Sequence, residues 1–152
     1  MDKLSKHFTL EELTRTSAGI ANQPSEQVIE RLRLVCVNIL EPVREHYGRP
    51  VMVHSGYRSP AVNIAVGGSP TSQHVKGEAV DFHVSAYSVY EVALWISENL
   101  DYDQLILENF VPGIKTSGWV HCSFGNNNRG QDLTKFRGSK TYYPGIVLQP
   151  RG

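Results

Sequence analysis

A decisive stretch of this chain is the segment SQHVKGEAVD, residues 72–81, in which a polar loop runs through a glycine into a strand pattern. Because Gly77 lets the chain turn, the loop can present His74 at the edge of that strand while Asp81 projects from its face. A separate strand pattern further along contains His121. Two imidazoles and a carboxylate are donors that zinc accepts, and a catalytic zinc site uses three protein ligands. The pattern allows a zinc site, but a histidine and an aspartate at this spacing are common, and a strand histidine often only packs.

His83 and Cys122 lie close to the proposed ligands and could compete with them for a metal. His83 lies two positions from Asp81 and therefore shares its strand face, so geometry alone allows it to compete. Cys122 adjoins His121, but consecutive strand residues point to opposite faces, which makes it a poor ligand. Together with Cys36 it gives only two cysteines, too few for a disulfide framework. Both are expected to be buried thiols.

Helical signals dominate the first third of the chain. Thr9 and Glu12 have the spacing of a capping box and predict the start of a short helix. Apolar residues recur at helical spacing over 28–43 and predict a long core helix that ends near Gly48. Pro42 lies inside this pattern and predicts a kink or a break there, because proline lacks an N–H and crowds the preceding turn.

Short strand patterns follow, separated by one helix that Ser88 caps. The predicted strands cover residues 51–54, 79–84, 103–108 and 119–124. Helices followed by a small sheet predict an α+β fold with a mostly antiparallel sheet packed with N-terminal helices. The segment 55–77 reads as a long loop, and a loop of that length in a compact domain is usually functional.

Length and charge limit the possibilities. The 152 residues fit one domain, with a core at about 8–124 and a C-terminal extension at 125–152. Fifteen basic and fifteen acidic residues balance, so we expect no binding to nucleic acid. No apolar stretch is long enough to span a membrane, so we expect no membrane insertion. We also expect a monomer. The N-terminus lacks the apolar core of a signal peptide, which predicts synthesis in the cytoplasm.

Three motifs occur in order along the chain: SGYRSP at 55–60, with Asn63 and Gly67-Gly68 after it; SxHxxGxAxD at 72–81; and WVH at 119–121. In this order they resemble the zinc D-alanyl-D-alanine carboxypeptidase family, which includes phage endolysin peptidases and shares its zinc fold with hedgehog signalling domains. The resemblance covers roughly residues 8–124. It implies a zinc ion held by His74, Asp81 and His121.

The general base is the point at which the chain departs from this family. Members usually carry an acidic residue a few positions before the last histidine ligand, whereas this chain has Gly118 there. Glu108 is the best carboxylate, provided that the residues up to Ser117 form an inserted hairpin that folds it back beside His121. Otherwise it is a solvated strand-end acid. Asp101 and Asp103 are the alternatives.

Two residues are candidates for substrate binding. The resemblance implies that Arg58 faces the substrate, where its guanidinium can bind a carboxylate or carbonyl. The alternative is an internal ion pair that staples the loop. Ser72 is placed to donate a hydrogen bond to substrate, or it only bonds backbone, as small polar loop residues often do.

The function that the resemblance implies is zinc-dependent hydrolysis of a peptide bond in peptidoglycan stem peptides. The enzyme would be an endopeptidase or a D,D-carboxypeptidase, with the endopeptidase favoured. A phage lysis enzyme would reach the wall by another protein's export route. The alternatives are a non-catalytic zinc-containing recognition domain of the same fold and a virion-associated peptidase that penetrates the wall.

Overall fold

A single mixed sheet organises the protein in the computed structural model, which describes residues 2–150. Within those residues the sheet has six strands in the order β1-β2-β4-β3-β5-β6. Their bounds are β1 Val51–Ser55, β2 Ala79–Val84, β3 Gln104–Phe110, β4 Trp119–Ser123, β5 Gln131–Phe136 and β6 Tyr142–Pro144. The four strands predicted from sequence are therefore present, and two more follow them.

The pairing of β5 corrects the predicted sheet. Pairs β1–β2, β2–β4, β3–β4 and β5–β6 are antiparallel, but β5 pairs with β3 in parallel. The sheet is thus mixed and larger than the small, mostly antiparallel sheet that we expected. The chain reverses after β3 and again after β4, and β4 already occupies one edge of β3. The next strand therefore joins the other edge of β3 in the same direction as β3.

Five α-helices occur in the described residues, and two of them start at the caps predicted from sequence. Thr9 forms the predicted capping box with Glu12, and Ser88 caps the helix after β2. The bounds are α1 Leu10–Thr14, α2 Glu26–Val35, α3 Glu41–Tyr47, α4 Pro60–Ala65 and α5 Val89–Asn99. The loop predicted at residues 55–77 thus contains one short helix, α4.

The predicted interruption at Pro42 takes the form of a π-helical turn over Cys36–Leu40 between α2 and α3. The Glu41 N–H bonds to the Cys36 carbonyl, and Pro42 lies at the start of α3, where a missing N–H costs little. The wider turn lets the chain continue in the same helical direction. Both cysteines are buried free thiols, as expected.

The two faces of the sheet have different roles. Fully buried side chains on one face form the core with helices α2 and α5, among them Val80, Phe82, Leu105, Leu107 and Val120. The other face carries Asp81, His121 and Glu108, because successive strand residues alternate between faces. Part of the C-terminal segment also belongs to this structure, since Phe136 is buried and Tyr143, Ile146 and Val147 pack on the core.

None of the helices in the described residues has both the length and the apolar character needed to cross a membrane.

Candidate metal centre and active-site cleft

The structure brings His74, Asp81 and His121 together. One potential ligand atom from each residue lies within 4.8 Å of the others. Asp81 on β2 is directly opposite His121 on β4, and the loop that ends at Gly77 supplies His74 from outside the sheet. Among the described residues this is the group of histidine, cysteine and acidic side chains whose geometry suits a metal ion.

The orientation of His74 leaves one nitrogen available to a metal. The ring is buried, and its Nδ1 lies 2.7 Å from the Gly56 carbonyl oxygen. A carbonyl only accepts, so Nδ1 carries the proton and donates to it, which leaves a lone pair on Nε2. This Nε2 lies 3.3 Å from Asp81 Oδ2. A carbonyl that fixes the ring in this way is a common second layer of support for a histidine ligand.

Asp81 is held as a carboxylate. Burial by itself would raise the pKa of its carboxyl group, but the His74 and His121 imidazoles hold that pKa well below its usual range. Its Oδ1 lies 2.9 Å from His121 Nδ1. The donor set is thus two imidazole nitrogens and one ionised carboxylate oxygen. It fits the three-ligand composition of a catalytic zinc site.

His83 makes a different contact. Its Nδ1 lies 2.6 Å from His54 Nε2, and the two rings stack at 26° between planes. Burial and the neighbouring His54 lower the pKa of His83. His83 therefore pairs with a second histidine and stands outside the group of three.

Glu108 lies on the same side of the sheet as the metal-binding candidates, which are His74, Asp81 and His121. The predicted hairpin is present, because β3 pairs with β4 and a tight loop that contains a Val111–Ile114 bridge connects them. Ile106 is opposite His121, and Glu108 is two residues further along the same face. Burial and, to a smaller extent, the negative charge of Asp81 raise the pKa of the Glu108 carboxyl group, although His121 partly offsets the shift. It is thus an acid with increased proton affinity beside the group of three.

The backbone explains why Gly118 cannot carry the acidic side chain expected at this point. Gly118 has φ +75°, and a Cβ added there would overlap the Glu108 carbonyl oxygen. The hairpin therefore requires glycine at position 118. In this chain the nearby carboxylate comes from the opposite strand instead.

The two alternative acids have other surroundings. The Asp103 carboxylate is bonded by Arg129 Nε at 2.7 Å and Nη2 at 3.1 Å, and by Gln73 Nε2 at 2.8 Å. The hydrogen bonds from Arg129 are the largest cause of its lowered pKa. The buried Asp103 carboxylate thus connects the loop of His74 to the segment before β5 through hydrogen bonds. Asp101 is exposed and lines a separate pocket.

The internal contacts considered for Arg58 are present, and the side chain also faces the cleft. Its Nη2 lies 3.5 Å from Asp81 Oδ2, and its Nε and Nη1 bond to Ser55 and Asn63 at 3.1 and 3.3 Å. The same side chain lines the cleft. The loop contacts therefore hold the guanidinium in a fixed orientation beside the metal-binding candidates, where a ligand can reach it.

Ser72 lines the same cleft, and its Oγ accepts a hydrogen bond from the His74 backbone N–H at 3.2 Å. The backbone contact considered for this residue is thus present. Because a hydroxyl has one donor as well as its acceptor sites, Ser72 can still donate to a bound molecule.

One open cleft of about 900 Å³ is lined by the three metal-binding candidates together with Glu108, Arg58 and Ser72. Its other wall includes Trp119 of the WVH motif and five residues outside the predicted site, namely Gln104, Arg129, Gln131, Leu133 and Tyr142. Most of them follow residue 124, where the sequence pattern weakens. The short alternation over 131–136 is the one local signal of a strand in that region.

The chain matches the sequence profile of a known protein family. The sequence profile of the family described as Peptidase M15 matches residues 6–123, which is well over half of the chain and includes all of the metal-binding candidates. A search among curated proteins found no match.

Proposed function

The chain belongs to the peptidase M15 family, and from that premise we propose that it hydrolyses a peptide bond in bacterial peptidoglycan stem peptides with zinc as its cofactor. The family supports a metallopeptidase, and the three-residue group supports a bound metal. The choice of substrate rests on the motifs at 55–60, 72–81 and 119–121. We favour an endopeptidase over a D,D-carboxypeptidase, because the cleft extends well beyond the metal-binding candidates and has room for several residues of substrate.

One observation carries this proposal: Glu108 lies in the same cleft as His74, Asp81 and His121, and on the same sheet face as Asp81 and His121. A site that only recognises a ligand needs no carboxylate at that position. Hydrolysis does need one, because a base must accept a proton from water when the peptide carbonyl is attacked.

Each residue then has a distinct task. A bound zinc ion supplies Lewis-acid activation of a carbonyl and of water. Glu108 accepts the proton of the attacking water and returns it to the leaving amine, a cycle that a raised pKa suits. Arg58 donates hydrogen bonds to a substrate carbonyl or carboxylate. Ser72 orients the substrate through its hydroxyl group.

We also propose a role in host-cell lysis by a phage, with the protein acting as a monomer. This proposal rests on the resemblance of the motifs to phage endolysin peptidases. The choice between a lysis enzyme and a virion component depends on whether the protein is present in purified particles, which mass spectrometry of virions measures.

The proposed activity is tested by digestion of purified peptidoglycan followed by mass spectrometry of the released fragments. We expect cleavage within stem peptides that a chelator abolishes and added zinc restores. The His121→Ala variant is the inactive control. If the zinc-loaded protein releases no fragment from any wall type, the non-catalytic recognition domain becomes the better explanation.

A further inference from the structure

One end of the cleft is built largely by residues beyond the family match, which ends at residue 123. Arg129, Gln131 and Leu133 line it, together with Gln104 of β3. We propose that this end is a subsite for a free carboxylate of the substrate peptide and that Arg129 binds this group. The inference rests on the proposed function and adds the part of the substrate that the cleft recognises.

The guanidinium of Arg129 is fixed in position but still able to bind. Two of its five N–H donors bond to Asp103, through Nε at 2.7 Å and Nη2 at 3.1 Å. Within residues 2–150, Nη1 has no hydrogen-bond partner, so the edge formed by Nη1 and Nη2 is open. That edge has the two parallel donors that a carboxylate accepts in bidentate fashion.

The charges around Arg129 favour an anion in the cleft. The Asp103 side chain is 10% exposed, whereas that of Arg129 is 52% exposed and lines the cleft. A ligand therefore meets the cation first, with the compensating carboxylate buried beneath it. Of the cleft-lining residues that the structure describes, only Asp81 and Glu108 are acidic, and both lie at the metal-binding end.

Two glutamines complete the polar surface at this end. Gln104 and Gln131 are register partners on β3 and β5, and Gln104 Nε2 donates to Gln131 Oε1 at 2.9 Å. This contact leaves the side-chain N–H groups of Gln131 and the side-chain oxygen of Gln104 free to bond a peptide backbone. The subsite thus offers neutral peptide-binding groups beside a single cation.

The spacing fits a short peptide. His121 is opposite Ile106, and Ile106 is opposite Leu133, two residues from Gln131. With about 4.8 Å between strands and about 3.3 Å per residue, the backbones at His121 and Gln131 are roughly 12 Å apart. An extended chain covers that distance in about three to four residues, which matches the length of a stem peptide.

The test compares three labelled tetrapeptides, each based on L-alanyl-D-isoglutamyl-L-lysyl-D-alanine. One keeps both carboxylates, one has D-isoglutamine in place of D-isoglutamate, and one has a C-terminal amide. Fluorescence anisotropy measures their binding to the zinc-loaded Glu108→Gln protein, in which peptide is not consumed. We expect one of the two amidated peptides to bind about tenfold more weakly than the parent, since a hydrogen bond to a charged group is lost. Which peptide weakens identifies the carboxylate.

The Arg129→Gln substitution, added to the Glu108→Gln protein, should weaken binding of the peptide with both carboxylates about tenfold. Binding of the peptide that lacks the recognised carboxylate should not change. Arg137→Gln is the matched control, because Arg137 is exposed outside the cleft. Asp103→Asn removes the ion pair but keeps the Arg129 guanidinium, so this variant should still prefer the peptide with the carboxylate. A merely structural role would weaken all three peptides equally.

Equal binding of the three peptides, or an equal loss on all of them in Arg129→Gln, would overturn the subsite. Hydrolysis of the same peptides by the unmodified protein is followed separately. A carboxylate preference without any hydrolysis would refute the proposed function and leave the subsite standing, so the two failures are distinguishable.

Discussion

Replacement of Glu108 by glutamine separates chemistry from binding and folding. The substitution keeps the shape of the side chain on β3 but removes the group that accepts the proton. Loss of a general base typically costs 10²- to 10⁴-fold in rate, which corresponds to about 3–5 kcal/mol in the activation free energy. The metal-binding candidates lie on other elements, on β2, on β4 and in the loop before β2. We therefore expect zinc content and peptide binding to be retained.

The raised pKa of Glu108 gives this variant a second signature in the zinc-free protein. Burial raises this pKa in the folded state, so the folded protein binds the proton more tightly than the unfolded chain and loses stability as pH rises. Well below the ordinary carboxyl pKa, both states are protonated and the parent carries no penalty. Above the raised pKa the parent carries the full cost of the buried charge. Glu108→Gln should therefore be at least as stable as the parent at neutral pH and lose this advantage in acid.

The three measurements use one batch of purified protein, and zinc is removed from the portion used for unfolding. Single-turnover hydrolysis followed by mass spectrometry gives the rate, elemental analysis gives the zinc content, and urea unfolding at pH 4 and pH 7 gives the stability. Glu98→Gln on the exposed side of α5 is the matched control and should match the parent in each assay. Undiminished hydrolysis by Glu108→Gln would refute the assignment of the base. A strong loss of zinc would show instead that Glu108 acts through the metal site.

Three further predictions follow from the geometry of the site. The purified protein should bind about one zinc per chain, and alanine at His74, Asp81 or His121 should sharply lower the zinc content measured by elemental analysis, since each substitution removes one of three bonds. Full zinc content in the His121→Ala protein would exclude this site. Arg58→Ala should lower turnover of wall fragments with zinc retained, and Arg58→Lys should restore it only in part, because lysine lacks the planar fork; parental turnover in Arg58→Ala would make the arginine structural. Gly118→Ala should lower the free energy of unfolding by about 1–3 kcal/mol more than Gly113→Ala, since both have positive φ but only Gly118 faces a backbone oxygen; equal urea midpoints would contradict the close approach.

Local signals in the sequence were sufficient for most of the elements. The capping box at Thr9, the cap at Ser88 and the four predicted strands depend on residues within a few positions of each other, and the structure confirms them. The hairpin after β3 could also be predicted, because its turn residues lie between two strand patterns. The grouping of His74 with Asp81 was suggested by a single ten-residue segment.

Tertiary contacts decided the remaining features of the site. The sequence favoured Glu108 but left Asp103 as an alternative base, since only the fold places Arg129 and Gln73 against the Asp103 carboxylate. The need for glycine at position 118 likewise depends on the opposite strand, whose Glu108 carbonyl fills the space of a side chain.

The extent of the sheet and of the cleft was the largest difference between sequence and structure. Hydrophobic periodicity predicted a sheet, and the pattern of histidine and acidic residues predicted the candidate metal ligands, because both depend on neighbours along the chain. Periodicity does not specify which edge of β3 is free, and that edge determined the parallel pairing of β5. The same pairing brings Arg129 and Gln131 into the cleft. The sequence alone thus determined the elements and the candidate metal ligands, while the long-range pairing of strands decided the second wall of the cleft, since strand pairing depends on residues far apart in the chain.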